Sequence, residues 1–154
     1  MTQEKHTIVI PRENAVFRMD GQGTWHNEHG PFEHPKIILY FNRSIQRDDQ
    51  GFFLCQEMEN AFEKVYFPYE ETAYFVADVN PRNPRDLILN TGQRISLDPL
   101  ALFARNDSLY LRRPDCLVKF TPRALLKLSK HMTERGDALV LTLDKQEFPI
   151  PEED

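Results

Sequence analysis

The sequence predicts an α+β protein made of two related small units, each an antiparallel sheet with a helix, packed together. Three observations support this fold class. A pattern recurs about 87 residues apart in the 154-residue chain, eleven prolines divide the chain into short elements, and strand-like apolar runs flank two segments that begin like helices. The landmarks of the repeat are Pro35 with Gly51 and Pro122 with Gly136.

The two copies share a similar but not identical frame. The proline and the glycine are 16 positions apart in the first copy and 14 in the second. Duplicated units commonly place a ligand site between the copies. The repeat therefore directs the search for a function to the region between the two halves.

Turn residues and helical spacing predict the elements of the first half. Asp20–Gly23 is a turn sequence typical of a hairpin, and Pro35 suits the first position of a helix, where a missing N–H is harmless. Ile37, Phe41 and Ile45 recur at helical spacing. The predicted elements are a strand at 8–10, a hairpin of 15–19 and 24–27, a helix from Pro35 to about Arg47, and a meander of strands at 52–56, 62–67 and 72–79.

The second half shows the same kinds of signal. Asn90–Gln93 is a second hairpin turn, and Thr121 followed by Pro122 is a strong helix start because a hydroxyl cap precedes a proline. Leu125, Leu128 and Met132 mark one buried helix face. The predicted elements are a hairpin of 87–89 and 94–97, a short apolar run at 100–104, strands at 108–112 and 117–120, the helix, and strands at 138–143 and 147–150.

These elements and the proline-rich segment near residue 80 define a domain organisation, because two prolines and two asparagines in six residues resist both helix and central strand. The predicted division is an N-terminal arm at 1–14, a first α+β repeat at 15–80, a linker at 81–86, a second α+β repeat at 87–150, and an acidic tail at 151–154.

Composition and charge restrict the class of protein. The formal charge of −5 argues against a protein that coats nucleic acid, and no apolar run is long enough to span a membrane. Nothing at the start is typical of a signal peptide. Cys55 and Cys116 stand in isolated apolar contexts, which favours reduced thiols and a cytoplasmic location.

Charge is uneven in the second half. Residues 108–135 carry seven basic and two acidic side chains, whereas residues 136–154 carry six acidic side chains and one lysine. One interpretation of the basic segment is a solvated helix face. The other is an anion site on Arg112, Arg113 and Lys119, because guanidinium groups match phosphate geometry and strands hold side chains firmly.

Catalytic and metal signatures are weak. His26, His29 and His34 lie within nine residues, but their spacing is not that of a zinc site, so we expect no bound metal or other cofactor. Glu63 and Lys64 could serve acid–base chemistry, yet neighbours on a strand face opposite ways. We assign no catalytic residue from the sequence.

The order of several short motifs resembles the uncharacterised bacterial family numbered twelve eighty-five among the domains of unknown function. The motifs are Gly23-Thr24-Trp25, Pro35 with its helix, Gly51-Phe52, Glu63-Lys64-Val65, Phe75-Val76, Asn90-Thr91-Gly92, Asp98-Pro99 and Pro122 with its helix. The resemblance covers roughly 16–150. It implies a domain duplication, a second half like a pleckstrin-homology fold, a nucleotide-type ligand between the halves, and a role in signal transduction. This chain has Asn60-Ala61-Phe62 where the family pattern has a proline and a valine.

The sequence thus predicts a cytoplasmic ligand-binding or regulatory module that holds a small anionic, nucleotide-type ligand between the repeats. The predicted ligand contacts are Trp25, Lys64, Arg94, Arg112 and Arg113. Two alternatives remain open. One is a small enzyme that uses Glu63 and Lys64 or the three histidines, and the other is a module that binds a protein partner through an exposed sheet edge.

Overall fold

The computed structural model describes residues 6–154, so the first five residues of the predicted N-terminal arm lie outside it. The chain divides into two compact units, Met1–Ala73 and Tyr74–Asp154. Within the described residues the fold is a mixed α+β fold with four sheets and two α-helices. The predicted fold class is confirmed at that level.

The first unit contains two small sheets and one helix. Its elements are β1 His6–Ile10, β2 Phe17–Met19, β3 Trp25–Asn27, β4 Gly30–Pro31, α1 Pro35–Arg43, β5 Ile45–Asp48, β6 Gly51–Glu57 and β7 Ala61–Tyr66. Strands β2, β3 and β4 form an antiparallel sheet. The other sheet has the order β1-β7-β6-β5, in which β1 runs parallel to β7 and the remaining pairs are antiparallel.

Helix α1 ends earlier than the sequence predicts. The hydroxyl of Ser44 donates to the Tyr40 carbonyl at 2.7 Å, and the Ser44 N–H shares the carbonyls of the last turn. Ile45, expected on the helix, instead begins β5, where it is buried and pairs with Leu54. The β-branched side chain fits a pleated, half-buried strand better than a helix end, which explains the error.

The second unit is built on a larger sheet. Its elements are β8 Phe75–Val79, β9 Asp86–Leu89, β10 Arg94–Ser96, β11 Leu102–Arg105, β12 Ser108–Arg112, β13 Leu117–Phe120, α2 Pro122–Leu128, β14 Met132–Arg135, β15 Ala138–Leu143 and β16 Gln146–Ile150, with a 3₁₀ turn at Pro99–Ala101. The six-stranded sheet has the order β10-β9-β8-β13-β12-β11, and β14, β15 and β16 form an antiparallel meander.

Two sequence predictions are wrong in this unit. The run at 72–79 was expected in the meander of the first half, but its strand β8 pairs antiparallel with β9 and parallel with β13, a strand more than 40 residues further along the chain. Met132 was expected on the helix, but α2 ends at Leu128 and Met132 begins β14, a strand that the sequence pattern did not indicate. The segment at 81–86 lies at the turn between β8 and β9.

Helix α2 begins as its sequence predicts. The Thr121 hydroxyl accepts a hydrogen bond from the Ala124 N–H at 3.2 Å, and Pro122 occupies the first helical position. Ala124 and Leu128 are fully buried in the core of the unit. That core continues over one face of the six-stranded sheet and onto the inner side of β15 and β16.

A buried tryptophan organises the first unit. Trp25 is only 1% exposed, and its ring makes edge-to-face contacts with Phe17, Phe41 and Phe67 at centroid distances of 5.7, 5.3 and 4.8 Å. Its indole Nε1 donates to Asn42 Oδ1 at 2.7 Å. The side chain therefore links β3 to helix α1 by both packing and a hydrogen bond.

One backbone contact recurs in the two units. In the first, the N–H of Met19 on β2 donates to the carbonyl of Pro68, just after β7, at 3.0 Å. In the second, the N–H of Ala104 on β11 donates to the carbonyl of Pro151, just after β16, at 2.9 Å. In each unit, a backbone hydrogen bond thus joins an edge strand, β2 or β11, to the residues that follow the last strand of the unit, β7 or β16.

Replacing the buried indole should destabilise the protein strongly. We expect Trp25→Ala to lower the free energy of unfolding by about 3–5 kcal/mol, since it removes a large core side chain. Trp25→Phe should cost less because it keeps an aromatic ring and loses mainly the bond to Asn42. Urea denaturation measures both. Leu100→Ala, at a side chain 81% exposed, is the control and should change stability by no more than about 0.5 kcal/mol.

Candidate ligand-binding site

A half-enclosed cavity of about 630 Å³ lies within the second unit. It is bordered by strands β11 and β12, the hairpin of β14 and β15, helix α2 and the residues at the end of β16. Its apolar floor consists of Leu109, Leu125, Leu139 and Ile150. Leu109 and Ile150 also belong to the buried core, so the floor is anchored by the packing of the unit.

The rim of the cavity carries carboxylates. They are Asp107, Glu134, Asp137 and Glu152. Within residues 6–154 these four side chains form no ion pair, and no basic residue lines the cavity. The potential at the mouth is therefore negative, and a cation is favoured over an anion there.

Tight turns place three of these carboxylates. Asn106 and Asp107 connect β11 to β12 with φ angles of 51° and 63°, the left-handed pair that a two-residue hairpin turn requires. Gly136, with φ 63°, turns β14 into β15 between Glu134 and Asp137. Local turn chemistry thus sets both acidic edges of the cavity.

The opposite face of the same strands is basic and aromatic. Phe103 and Tyr110 stack with centroids 5.1 Å apart and planes 10° apart. The Arg112 guanidinium lies 4.2 Å from the Phe103 ring centre, and Arg105 and Lys119 lie 4.8 and 5.5 Å from that of Tyr110. We call these five residues the cation–aromatic cluster.

Arg112 also holds the end of the chain. Its guanidinium donates two hydrogen bonds to the Glu153 carboxylate, at 3.2 and 2.7 Å. This contact raises the pKa of Arg112 and lowers the pKa of Glu153. Arg112, a predicted ligand contact, is therefore already paired with Glu153 of the predicted acidic tail.

Lys64 belongs to a polar group in the first unit. Its Nζ donates to Asp48 Oδ2 at 2.9 Å, and the Tyr66 hydroxyl donates to the same oxygen at 2.5 Å. The hydrogen bond from Tyr66, followed by that from Lys64, lowers the pKa of Asp48 to about 2. The bond to Asp48 in turn raises the pKa of Tyr66 and of Lys64. Lys64 also lies 4.2 Å from the Phe53 ring centre.

The remaining predicted contacts are spread through the fold. Arg94, on edge strand β10, donates to Asp86 at 3.2 Å. Three strands separate β10 from β12, so Arg94 and Arg112 are about 19 Å apart across the sheet. Arg113 directly follows β12, and its N–H donates to the Cys116 carbonyl at 3.0 Å. Trp25 is buried in the first unit. Their role in binding a ligand stays a prediction.

The histidines do not converge. His26 Nε2 lies 2.7 Å from Asp20 Oδ2, whereas His29 and His34 line a separate apolar groove of about 480 Å³ beside Phe32. Within residues 6–154, no three potential metal ligands come together. Glu63 borders a small cavity of about 60 Å³ on the first unit.

The carboxylate rim was missed at the level of sequence. Its members come from three separate places, the β11–β12 turn, the β14–β15 hairpin and the segment after β16. The signal that could have indicated it is the excess of acidic residues from 136 to the end. Only the pairing of the strands shows that Asp107 joins them.

Solved proteins have a fold similar to that of this chain. The chain is similar to a DUF1285 family protein from Silicibacter pomeroyi DSS-3, solved at 2.50 Å, with a TM-score of 0.60 and 15% identity over 96% of this chain and 84% of that chain. A DUF1285 family protein from Shewanella baltica OS155, solved at 1.40 Å, matches with a TM-score of 0.47 and 17% identity over 70% of this chain and 84% of that chain. No family model and no curated protein matches.

The first comparison defines the class of fold, a mixed α+β fold that extends over nearly the whole chain. The resemblance to the DUF1285 family, which the sequence motifs indicate, is confirmed at the level of the fold. Separately, none of the helices within residues 6–154 has the length and apolar character needed to cross a membrane.

The Asp48 group predicts a specific response to acid. Because the pKa of Asp48 in the folded protein is about 2, below its usual 3.8, the carboxylate contributes stability above pH 3.8 that is lost as the pH falls toward 2. Asp48→Asn should lack this contribution, so its stability difference from the native protein should shrink between about pH 4 and pH 2. Urea denaturation across that range measures the difference.

The titration itself can be observed separately. NMR of the side-chain carboxyl should show a midpoint near pH 2 for Asp48, and Tyr66→Phe should raise it because the strongest hydrogen bond is gone. An unchanged midpoint in Tyr66→Phe would contradict this account.

Proposed function

We propose that this protein is a cytoplasmic ligand-binding or regulatory module that holds a small ligand in the cavity of its second unit. The cavity itself carries the proposal. Its volume of about 630 Å³ lies within the roughly 300–1,000 Å³ typical of small-molecule sites, and it combines an apolar floor with a few polar groups at the mouth.

The construction of the cavity supports a preformed site. Its floor comes from strands and a helix that share the core, and its mouth is set by two-residue and glycine turns. Sites on strands and helices keep their geometry better than sites on long loops. A ligand would therefore enter a cavity whose walls need little rearrangement.

We also propose that the two units arose by duplication. In each, a three-stranded antiparallel arrangement precedes a helix that begins with proline, and a three-stranded antiparallel meander follows. The backbone bonds from Met19 to Pro68 and from Ala104 to Pro151 occupy corresponding places. A pleckstrin-homology-like second half stays a prediction.

The same correspondence explains why the second unit is open. Met19 pairs with Trp25 across β2 and β3, and Ala104 pairs with Leu109 across β11 and β12. Both side chains of the first pair are buried and large. The smaller Ala104 and Leu109 leave space at the matching place, and both line the cavity.

A second candidate keeps the anionic ligand that the sequence predicts. The observation in its favour is the cation–aromatic cluster, in which Arg112 and Lys119 lie on one sheet face with Arg105 beside stacked rings. Guanidinium groups on one sheet face suit a phosphate, and the buried rings of Phe103 and Tyr110 hold these groups in place. A nucleotide would compete with Glu153 for Arg112. Its role in signal transduction stays a prediction.

Narrowing the cavity should weaken ligand binding. Ala104→Met introduces the residue found at the corresponding place in the first unit, Met19, so we expect the variant to fold. It should weaken the binding of any cavity ligand about fivefold or more, because the ligand and the new side chain cannot share the space. Leu126→Met is the matched control at a side chain 70% exposed and outside the cavity.

Binding is read by a thermal-shift screen of small cationic, neutral and anionic compounds, since a ligand that binds only the native state raises Tm. Hits that lose their effect in Ala104→Met and keep it in Leu126→Met support the cavity. Hits unaffected by Ala104→Met place binding elsewhere and contradict the proposal.

The anionic candidate has a separate test. If the cation–aromatic cluster binds a nucleotide, ATP should raise Tm, and Arg112→Gln should reduce its affinity about tenfold because one guanidinium–phosphate contact is lost. Arg82→Gln, at an exposed arginine in the turn between β8 and β9, is the control and should bind ATP as the native protein does. No Tm shift with ATP, or an equal loss in Arg82→Gln, would rule this site out.

A further inference from the structure

We infer that the cavity of the second unit is specific for a small organic cation with an apolar body. This inference rests on the proposed function and adds the chemical class of the ligand. It combines two independent properties of the cavity, the aliphatic floor formed by Leu109, Leu125, Leu139 and Ile150 and the negative charge at its mouth.

The basic residues nearest in sequence are directed away from the cavity. Arg105 follows Ala104 on β11, and strand alternation takes its side chain to the other face, over Tyr110. Arg135 follows Glu134 on β14 and donates two hydrogen bonds to the Glu147 carboxylate, one at 2.8 Å. Neither guanidinium neutralises the rim.

Several carboxylates elsewhere in this unit have cationic partners. Asp78 accepts from Lys127 at 2.5 Å, and Asp86 and Glu153 accept from Arg94 and Arg112. The rim carboxylates differ, since within residues 6–154 they form no ion pair. A ligand in the cavity would therefore have to carry the positive charge that balances these carboxylates.

The aliphatic floor favours an organic cation over a metal ion. A small metal ion needs several oxygen ligands around one point, whereas the rim groups come from three separate chain segments around an aliphatic surface. An organic ammonium ion can bury its apolar body on the leucines and leave the charged head near the carboxylates at the mouth. The half-enclosed shape suits a compact molecule rather than an extended peptide.

Three probes test the class: phenylpropylamine, phenylpropanol and phenylbutanoate. They share the phenylpropyl body and differ in the charge of the head group. We expect the amine to bind about tenfold more tightly than the alcohol, the acid to bind most weakly, and the preference for the amine to shrink as salt is added. Amide NMR titrations of isotope-labelled protein give the affinities and should shift Leu125 and Leu139.

A charge variant separates the rim from the net charge of the protein. Glu134→Gln with Asp137→Asn removes two rim carboxylates, and Glu59→Gln with Glu70→Gln removes two exposed carboxylates from the first unit. We expect the rim variant to bind the amine about tenfold more weakly than the native protein and the alcohol with the same affinity. The control variant should bind both probes as the native protein does.

The outcomes distinguish the two proposals. If the alcohol or the acid binds as tightly as the amine, or if the control variant loses as much amine affinity as the rim variant, the cationic class is wrong although the cavity still binds ligands. If none of the three probes shifts the amides of Leu125 and Leu139, the cavity is not a ligand site and the proposed function fails with it.

Discussion

Side-chain alternation along β11 and β12 is the constraint on which both candidate sites of the second unit depend. Ala104 and Leu109 face the cavity, while Phe103, Arg105 and Tyr110 face the other way. The antiparallel register pairs Ala104 with Leu109 and Phe103 with Tyr110, so each face carries one kind of chemistry. A shift of one residue in this pairing would exchange the two faces and destroy both sites.

This separation also assigns the acidic residues near the end of the chain to different tasks. Glu153 is held by Arg112 on the cation–aromatic side, whereas Glu152, its neighbour, lies at the cavity rim. Extended backbone sends adjacent side chains in opposite directions. The backbone bonds from Ala104 to Pro151 and from Glu153 to Ala104 fix that direction. Residues that the sequence indicates only as an acidic tail thus lie at two different candidate sites.

Local signals predicted most of the fold, and long-range pairing supplied what they missed. The hairpin at Asp20–Gly23 and the capped start of α2 are confirmed because a turn and a cap depend on residues adjacent in sequence. The partners of β8 were wrong because one of them, β13, lies far along the chain. The end of α1 was wrong because Ile45 pairs with Leu54 on the next strand instead of extending the helix. The same reason hid the cavity, since Asp107 and Glu152 meet only through strand pairing.

Volume, more than charge, distinguishes the two units. In the first unit, the rings of Phe41 and Phe67 pack edge-to-face against Trp25, so aromatic side chains fill the space around it. At the matching backbone place, the second unit has aliphatic and small side chains. An unfilled apolar volume loses dispersion contacts and is costly to keep. A ligand that covers Leu109 and Leu139 would recover those contacts, so the open cavity itself favours an occupant with an apolar body.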